Sequence, residues 1–158
     1  MATRRVGLGS KSFAAAVKAW GDKTEQKITM VFREAATDLI ETANEVGPSK
    51  ANPGSTGTGN MPVATGFLRN SVQVVLNGPL PPANRKRPEK GGAVAYSPDF
   101  ELAIVGAVLG DTISAGWTAN YAVHVELGTS KMAPRQFVGK AVQKWVAIVD
   151  RAVARHRD

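Results

Sequence analysis

At 158 residues the chain is the size of one domain with a single core, and its lack of cysteine excludes disulfides and thiolate metal sites. Its formal charge is +7. No apolar run approaches the ~20 residues that cross a bilayer, and the start Met1 to Gly7 is charged with no apolar stretch behind it, so neither a membrane span nor a signal peptide is expected.

The charge is unevenly placed. Residues 1–23 carry five cations against one carboxylate, and 24–46 carry two against five. Residues 93–130 hold Asp99, Glu101, Asp111 and Glu126 with no lysine or arginine, whereas 131–158 carry seven cations against two carboxylates. Separate acidic and basic blocks let one copy complement another. Basic blocks could equally neutralise nucleic-acid phosphates, or be ordinary solvated faces.

In chain order, residues 1–9 read as a flexible arm. Over 10–20, Phe13, Val17 and Trp20 fall on one helical face. Gly21-Asp22 interrupts that helix, and Asp22 to Glu25 has the spacing of a capping box opening a second, long one. Ile28, Val31, Phe32, Ala35, Leu39, Ile40 and Ala43 form its apolar stripe, and Gly47-Pro48 stops it. Residues 47–64 then make a long loop with little to hold it packed. Gly54 and Gly59 have the outer spacing of a phosphate-cradling loop, but Asn60-Met61 stands where lysine and a hydroxyl residue are required. Gly57 to Gly59 is followed by Pro62 where a dinucleotide fingerprint needs glycine, so no nucleotide or other cofactor is expected.

Val72, Val74 and Leu76 have strand alternation over 72–78, turned at Asn77-Gly78. Residues 79–92 form a second long loop, kept extended by proline and solvated by Arg85, Lys86, Arg87 and Lys90. Ala93 to Tyr96 and Phe100 to Leu109 read as further strands, the latter with Phe100, Leu102 and Ile104 on one face, and 112–117 as a short fourth. A final long helix starts near Pro134, with Phe137, Val138, Ala141, Val142, Trp145, Ile148, Val149, Ala152 and Val153 as its apolar stripe. The expected fold is α+β, a single domain over 1–158. It has a long N-terminal helix, a small antiparallel sheet of three to four strands, a long C-terminal helix packed on that sheet, and two long loops. Loops of this length are commonly functional, and both are expected to order against neighbouring subunits or partners.

Catalytic chemistry is hard to find. His124 and Glu126 would share one face of a strand, but no third ligand is spaced with them, and no serine lies in a nucleophile elbow. Neither an enzyme nor a metal site is expected. Tyr121 and Phe137 read as core or interface aromatics. Arg69, Glu126 and Arg135 sit beside apolar residues at element ends, where charges are usually paired, and Glu126 is assigned to Arg69 or Arg135. Gly128-Thr129 reads as the turn that aims the last helix.

Three motifs carry a resemblance. Thr65-Gly66-x-Leu68-Arg69-x-Ser71, then Tyr121-Ala122-x-x-Val125-Glu126-x-Gly128-Thr129, then Arg135-x-Phe137-x-x-x-Ala141, together resemble the head-to-tail joining proteins of long-tailed bacteriophages, also called neck, tail-completion or minor tail components. The likeness covers about residues 12–155. The chain departs from the family's pattern at Leu127, where phenylalanine is usual, at Gln136, where proline is frequent, and at Gly139-Lys140, where proline is common before the alanine. The resemblance implies a non-enzymatic virion subunit, assembled in the host cytoplasm. It would form a homo-oligomeric ring, a hexamer, between the capsid portal or adaptor and the tail tube, with the double-stranded DNA genome passing through its centre. Within the family the alternative is a tail terminator capping the tube. In a different class, it is a nucleic-acid-binding module using the Arg85 to Lys90 loop and the C-terminal arginines.

Overall fold

Alanine-rich sequence and helical apolar spacing favour a helix from Phe13 onward, and in the computed structural model, which describes residues 13–157, it runs unbroken to Ala43 as the 31-residue α1. The arm expected over 1–9 lies outside the described residues. The break expected at Gly21-Asp22 does not occur. A helical glycine costs only about 1 kcal/mol against alanine, and Asp22 pairs with Lys18 one turn back at 2.7 Å. Thr24 donates its hydroxyl to the Trp20 carbonyl at 2.9 Å, as a residue inside a helix does.

Burial on α1 is lopsided. Ala35, Ala36, Ile40 and Ala43 are buried, whereas Phe13 is 86% exposed and Trp20 70%. The helix ends at Ala43, ahead of Gly47-Pro48.

The sheet is smaller than expected. Strand β1, Val72–Leu76, pairs antiparallel with β2, Ile113–Trp117, with Val72 opposite Trp117 and Leu76 opposite Ile113. Among the described residues these are the only two strands, which corrects the expected three to four. Residues 93–96 are tethered without a ladder. Val94 N–H donates to the Thr65 carbonyl (2.6 Å), and Asn70 donates from Nδ2 to the Ala95 carbonyl (3.2 Å) and accepts from Ser97 N–H at Oδ1 (3.0 Å). Residues 100–109 are not a strand either. Phe100–Val105 is helix α2. Phe100, Ile104 and Ala107 lie at helical intervals and are the residues buried, while Leu102, needed inside by a strand, is 80% exposed. Phe100 and Ile104 pack with Ile40, Val72 and Val74 across α1 and β1.

After β2 come α3, Ala122–Leu127, α4, Phe137–Gln143, and α5, Trp145–Arg155. The expected single C-terminal helix therefore starts later than Pro134 and is split at Lys144, whose φ of −87° and ψ of 2° are not helical. Phe137 at the start of α4 meets Trp117 of β2 edge-on, with ring centroids 5.1 Å apart. In α5, Ile148 and Ala152 pack on Ala35, Val31 and Leu39 of α1. The expected packing on the sheet is thus limited to the Phe137 contact, and both halves of the expected helix lie against α1.

The two long loops differ. Residues 47–64 contain no helix or strand, yet they are docked on the body, which corrects the expectation of an unheld segment. Met61 is fully buried and Val46 bridges to it. A Cβ on Gly59 would sit 1.8 Å from the Glu45 carbonyl oxygen, so main chains approach there at a spacing open only to glycine. Residues 79–90 are exposed throughout and are held by one main-chain anchor. There Arg85 N–H donates to the Thr118 carbonyl and Asn120 N–H to the Arg85 carbonyl, both at 2.9 Å.

Candidate functional site

Of the polar residues of the three motifs, Arg69 is held at a joint formed at the end of α1. Asn44 is completely buried. Its Oδ1 accepts from Trp117 Nε1 (2.9 Å), its Nδ2 donates to the Tyr96 hydroxyl (3.2 Å), and its main-chain carbonyl accepts from Arg69 Nε (2.9 Å). The Arg69 guanidinium also lies over the Tyr96 ring, 3.5 Å from the centroid, a cation–π contact. One side chain and its carbonyl thus tie α1 to β2, to the turn before β1 and to the 93–97 segment.

The first motif builds the other side of the joint. Thr65 offers its carbonyl to Val94, and Gly66 has φ of +84° with the Val94 carbonyl oxygen 2.6 Å from where a Cβ would stand. Only glycine suits both conditions. Leu68 is buried, and Ser71 is buried with its hydroxyl donating to the Leu68 carbonyl at 2.7 Å. The Ser71 carbonyl in turn accepts from both the N–H and the hydroxyl of Thr118, each at 2.9 Å.

The second and third motifs meet the first in one apolar cluster, where Leu68, Ala122, Val125, Phe137 and Ala141 are buried together with Ala43 and Met61. Tyr121 packs beside Phe67 with ring centroids 6.3 Å apart. Burial pushes the Tyr121 phenol up from its usual pKa, opposed by Arg87 nearby and by a hydrogen bond with the Leu68 main chain.

Glu126 has neither of its expected partners. Its two carboxylate oxygens accept from the N–H groups of Val138 and Gly139, both at 2.9 Å. It therefore caps the first turn of α4, where free N–H groups favour an anion. Arg135 is spent on the long loop, donating from Nε to the Asn60 carbonyl (3.1 Å) and from Nη2 to the Pro48 carbonyl (2.8 Å). Among the described residues no ion pair joins Glu126 to Arg69 or Arg135. Two positive-φ residues shape the link between α3 and α4. Gly128 has φ of +79° and Gln136 has φ of +51°. Between them Thr129 N–H donates to the Met132 carbonyl at 2.8 Å, closing the expected turn.

Sequence reasoning missed Asn44, Asn60, Asn70, Tyr96 and Trp117. For Asn44 the available signal was a lone amide just after an apolar stripe, which reads equally well as a helix stop.

A second polar group fastens α5 to α1. Arg155 Nη1 bonds to Glu34 and lies 3.1 Å from Asp38 Oδ2, and His156 Nε2 is 2.5 Å from Glu34 Oε2. The Arg155 hydrogen bond is the main reason that the Glu34 carboxyl is held below its usual value, with His156 assisting. Beside this group Asp38, Glu41, Glu45, Arg69, Arg151 and Arg155 line a cleft of about 440 Å³. Burial pushes Glu41 above its usual value there, with Glu101 and Asp38 adding like charge. Of the basic loop, Arg85 lies 5.5 Å over the Phe67 ring and all of Arg85, Lys86, Arg87 and Lys90 are exposed.

Among the described residues no three histidine or carboxylate side chains come together to hold a metal ion, and no helix is long and apolar enough to cross a membrane. No protein-family model matches the chain, and comparison with curated proteins and with solved structures finds no match.

Proposed function

We propose that the chain is a non-catalytic ring subunit of a phage neck, joining the portal or adaptor to the tail tube and letting double-stranded DNA pass through the ring. The observation that carries this reading is how many apolar side chains the subunit leaves uncovered. Phe13 and Trp20 on α1, Leu102 and Val105 on α2, Leu127 on α3 and Val146 on α5 are each at least 65% exposed. Isolated exposed leucines need no explanation. Six such residues on four helices of a chain this size suit a protein that buries them against more than one neighbour. Identical subunits that meet through two different surfaces form rings where the rotation between neighbours closes, and open filaments where it does not. The placement in a virion neck rests on the three motifs, which support it by sharing one apolar cluster.

The test is native mass spectrometry and electron microscopy of the purified chain, followed by localisation of the subunit in intact particles. Closed rings, with the subunit at the head–tail junction, are expected. A monomer at every accessible concentration overturns the reading, and a position at the tube end before head attachment makes the subunit a terminator instead. The exposed Arg85 to Lys90 loop favours a second reading, a nucleic-acid-binding module. A conduit should bind duplex DNA no more tightly than non-specific proteins do, about 10⁻⁴ to 10⁻⁶ M at physiological salt. Much tighter binding with a steep salt slope in a gel-shift titration supports the module.

A further inference from the structure

The N-terminal end of α1, exposed throughout from Phe13 to Trp20, has an assignable partner surface. From Phe13 to Met30 no residue of α1 is buried. Phe13, Val17 and Trp20 follow one another at intervals of four and three, so they form a single stripe on a helix segment roughly 27 Å long. We infer that this arm of one copy docks on the α2 face of the next copy, onto Leu102, Val105, Val108 and Leu109. The inference rests on the ring reading and names the contact that propagates it.

Charge selects the acceptor. The arm, Phe13–Met30, carries Lys18, Lys23 and Lys27 against Asp22 and Glu25, and Arg4, Arg5 and Lys11 precede it in the sequence with no carboxylate among residues 1–12. The α2 face lies in the block that has no cation between 93 and 130, and Asp99, Glu101 and Asp111 border it. The other long apolar face, Val142, Val146 and Val153, stands among Lys140, Lys144, Arg151 and Arg157 with Asp150 alone against them, so it is net like-charged with the arm. Like-charge juxtaposition suppresses a pairing and opposite patches orient one.

Geometry makes the contact intermolecular. Within a subunit, Arg33 Nε donates to the Ala107 carbonyl at 2.6 Å, which places the turn after α2 beside the middle of α1. Phe13 lies twenty residues further along the same unbroken helix, about 30 Å away. A straight helix cannot fold its own tip back onto that face. Arm and acceptor are different surfaces, so the contact runs head to tail and each copy uses both.

The contact is small. Two aromatics and a valine offer roughly 400 Å² of side-chain surface. With a matching area on the acceptor the total is about 800 Å², short of the ~1,200 Å² of a stable two-body interface. A single arm contact is therefore transient, and closure of the ring, which engages every arm at once, holds it.

The chain has no cysteine, so introduced thiols report contacts cleanly. Val17→Cys, Val105→Cys and Val146→Cys replace exposed residues and are prepared as separate full-length proteins with different tags. Oxidising a mixture of the first two should yield a mixed disulfide dimer, and the double variant Val17→Cys/Val105→Cys a ladder of linked species. A disulfide dimer of Val17→Cys alone, showing arms paired with arms, overturns the inference. So does linkage of Val17→Cys to Val146→Cys in place of Val105→Cys. If the wild-type chain sediments as an oligomer and Val17→Cys does not link to Val105→Cys, the arm assignment falls and the ring reading survives. If the wild-type chain is monomeric, both fall.

Discussion

Removing the Asn44 amide tests the joint at the end of α1. In Asn44→Ala the Trp117 indole N–H loses its acceptor, and an orphaned donor of this kind costs about 1–3 kcal/mol. The three side-chain atoms removed leave a cavity of about 50 Å³ at a completely buried position, which adds about 1.2 kcal/mol. The Tyr96 hydroxyl is only partly buried and regains water, and the Arg69 bond survives because it is made to the main-chain carbonyl. The expected loss is about 3 kcal/mol, a large part of a typical domain's stability. With a urea slope of about 2 kcal/mol/M, the unfolding midpoint should fall by about 1.5 M. Far-ultraviolet circular dichroism is the better probe, because Trp117 fluorescence changes with its own environment. A double-mutant cycle with Trp117→Phe, which keeps a ring against Phe137, should return a coupling of about 1 kcal/mol. A loss below about 1 kcal/mol in Asn44→Ala, or zero coupling, would refute the account of Asn44 as a tie between α1 and β2.

Other perturbations reach the remaining parts of the site. Glu126→Ala should cost about 1–2 kcal/mol by uncapping α4, with Glu126→Gln recovering part of it; hydrogen exchange at Val138 and Gly139 should quicken, and unchanged exchange there argues against the cap. Gly66→Ala combines a positive φ with a Cβ 2.6 Å from the Val94 carbonyl oxygen and should cost at least about 1 kcal/mol, visible as a lower melting temperature and loss of protection at the Val94 amide. The Glu34 carboxyl is lowered from 4.5 in the folded chain, so its contribution is complete above about pH 4.5 and is lost as pH falls through the lower folded-state value. Glu34→Gln should accordingly flatten the acid limb of stability against pH, modestly because the pair is partly solvated, and an unaltered acid limb would show that Arg155 contributes nothing there. Glu41 shifts the other way: its raised value means that ionisation above pH 4.5 opposes folding, so Glu41→Gln should raise the melting temperature slightly at pH 7 and leave it unchanged near pH 3.

How much of this was legible in the sequence depended on whether one period dominated a segment. The stripe from Ile28 to Ala43 has a single period, and α1 appears there as expected. Residues 100–109 satisfy two periods at once. Phe100, Leu102 and Ile104 alternate, while Phe100, Ile104 and Ala107 fit a helix, and burial of the second set decides the matter. The docking of 47–64 was invisible because it depends on main-chain contact at Gly59 and on arginine reaching carbonyls from eighty-seven residues away in sequence. Glu126 was correctly marked as a charge in need of a partner. Its partner proved to be a helix terminus, which carries no side-chain signature in the sequence. Gln136 also departs from the resembled family's frequent proline. Its φ of +51° is closed to proline, so the turn into α4 here is built on a left-handed residue.

The length of α1 also has a mechanical side. The helix is gripped from about Val31 to Asn44, and none of its first eighteen residues is buried, so the lightly held limb is longer than the clamped one by a factor of about 1.3. Such a rod is a lever whose fulcrum lies near Arg33. A tilt that moves the Asn44 end by 1 Å swings the tip by roughly 1.5 Å or more. Load applied at the tip arrives, in turn, at the hydrogen bonds that Asn44 makes to Trp117 and Tyr96. Strain at the tip of α1 and the seating of β2 are thereby geared to one another through a single stiff element.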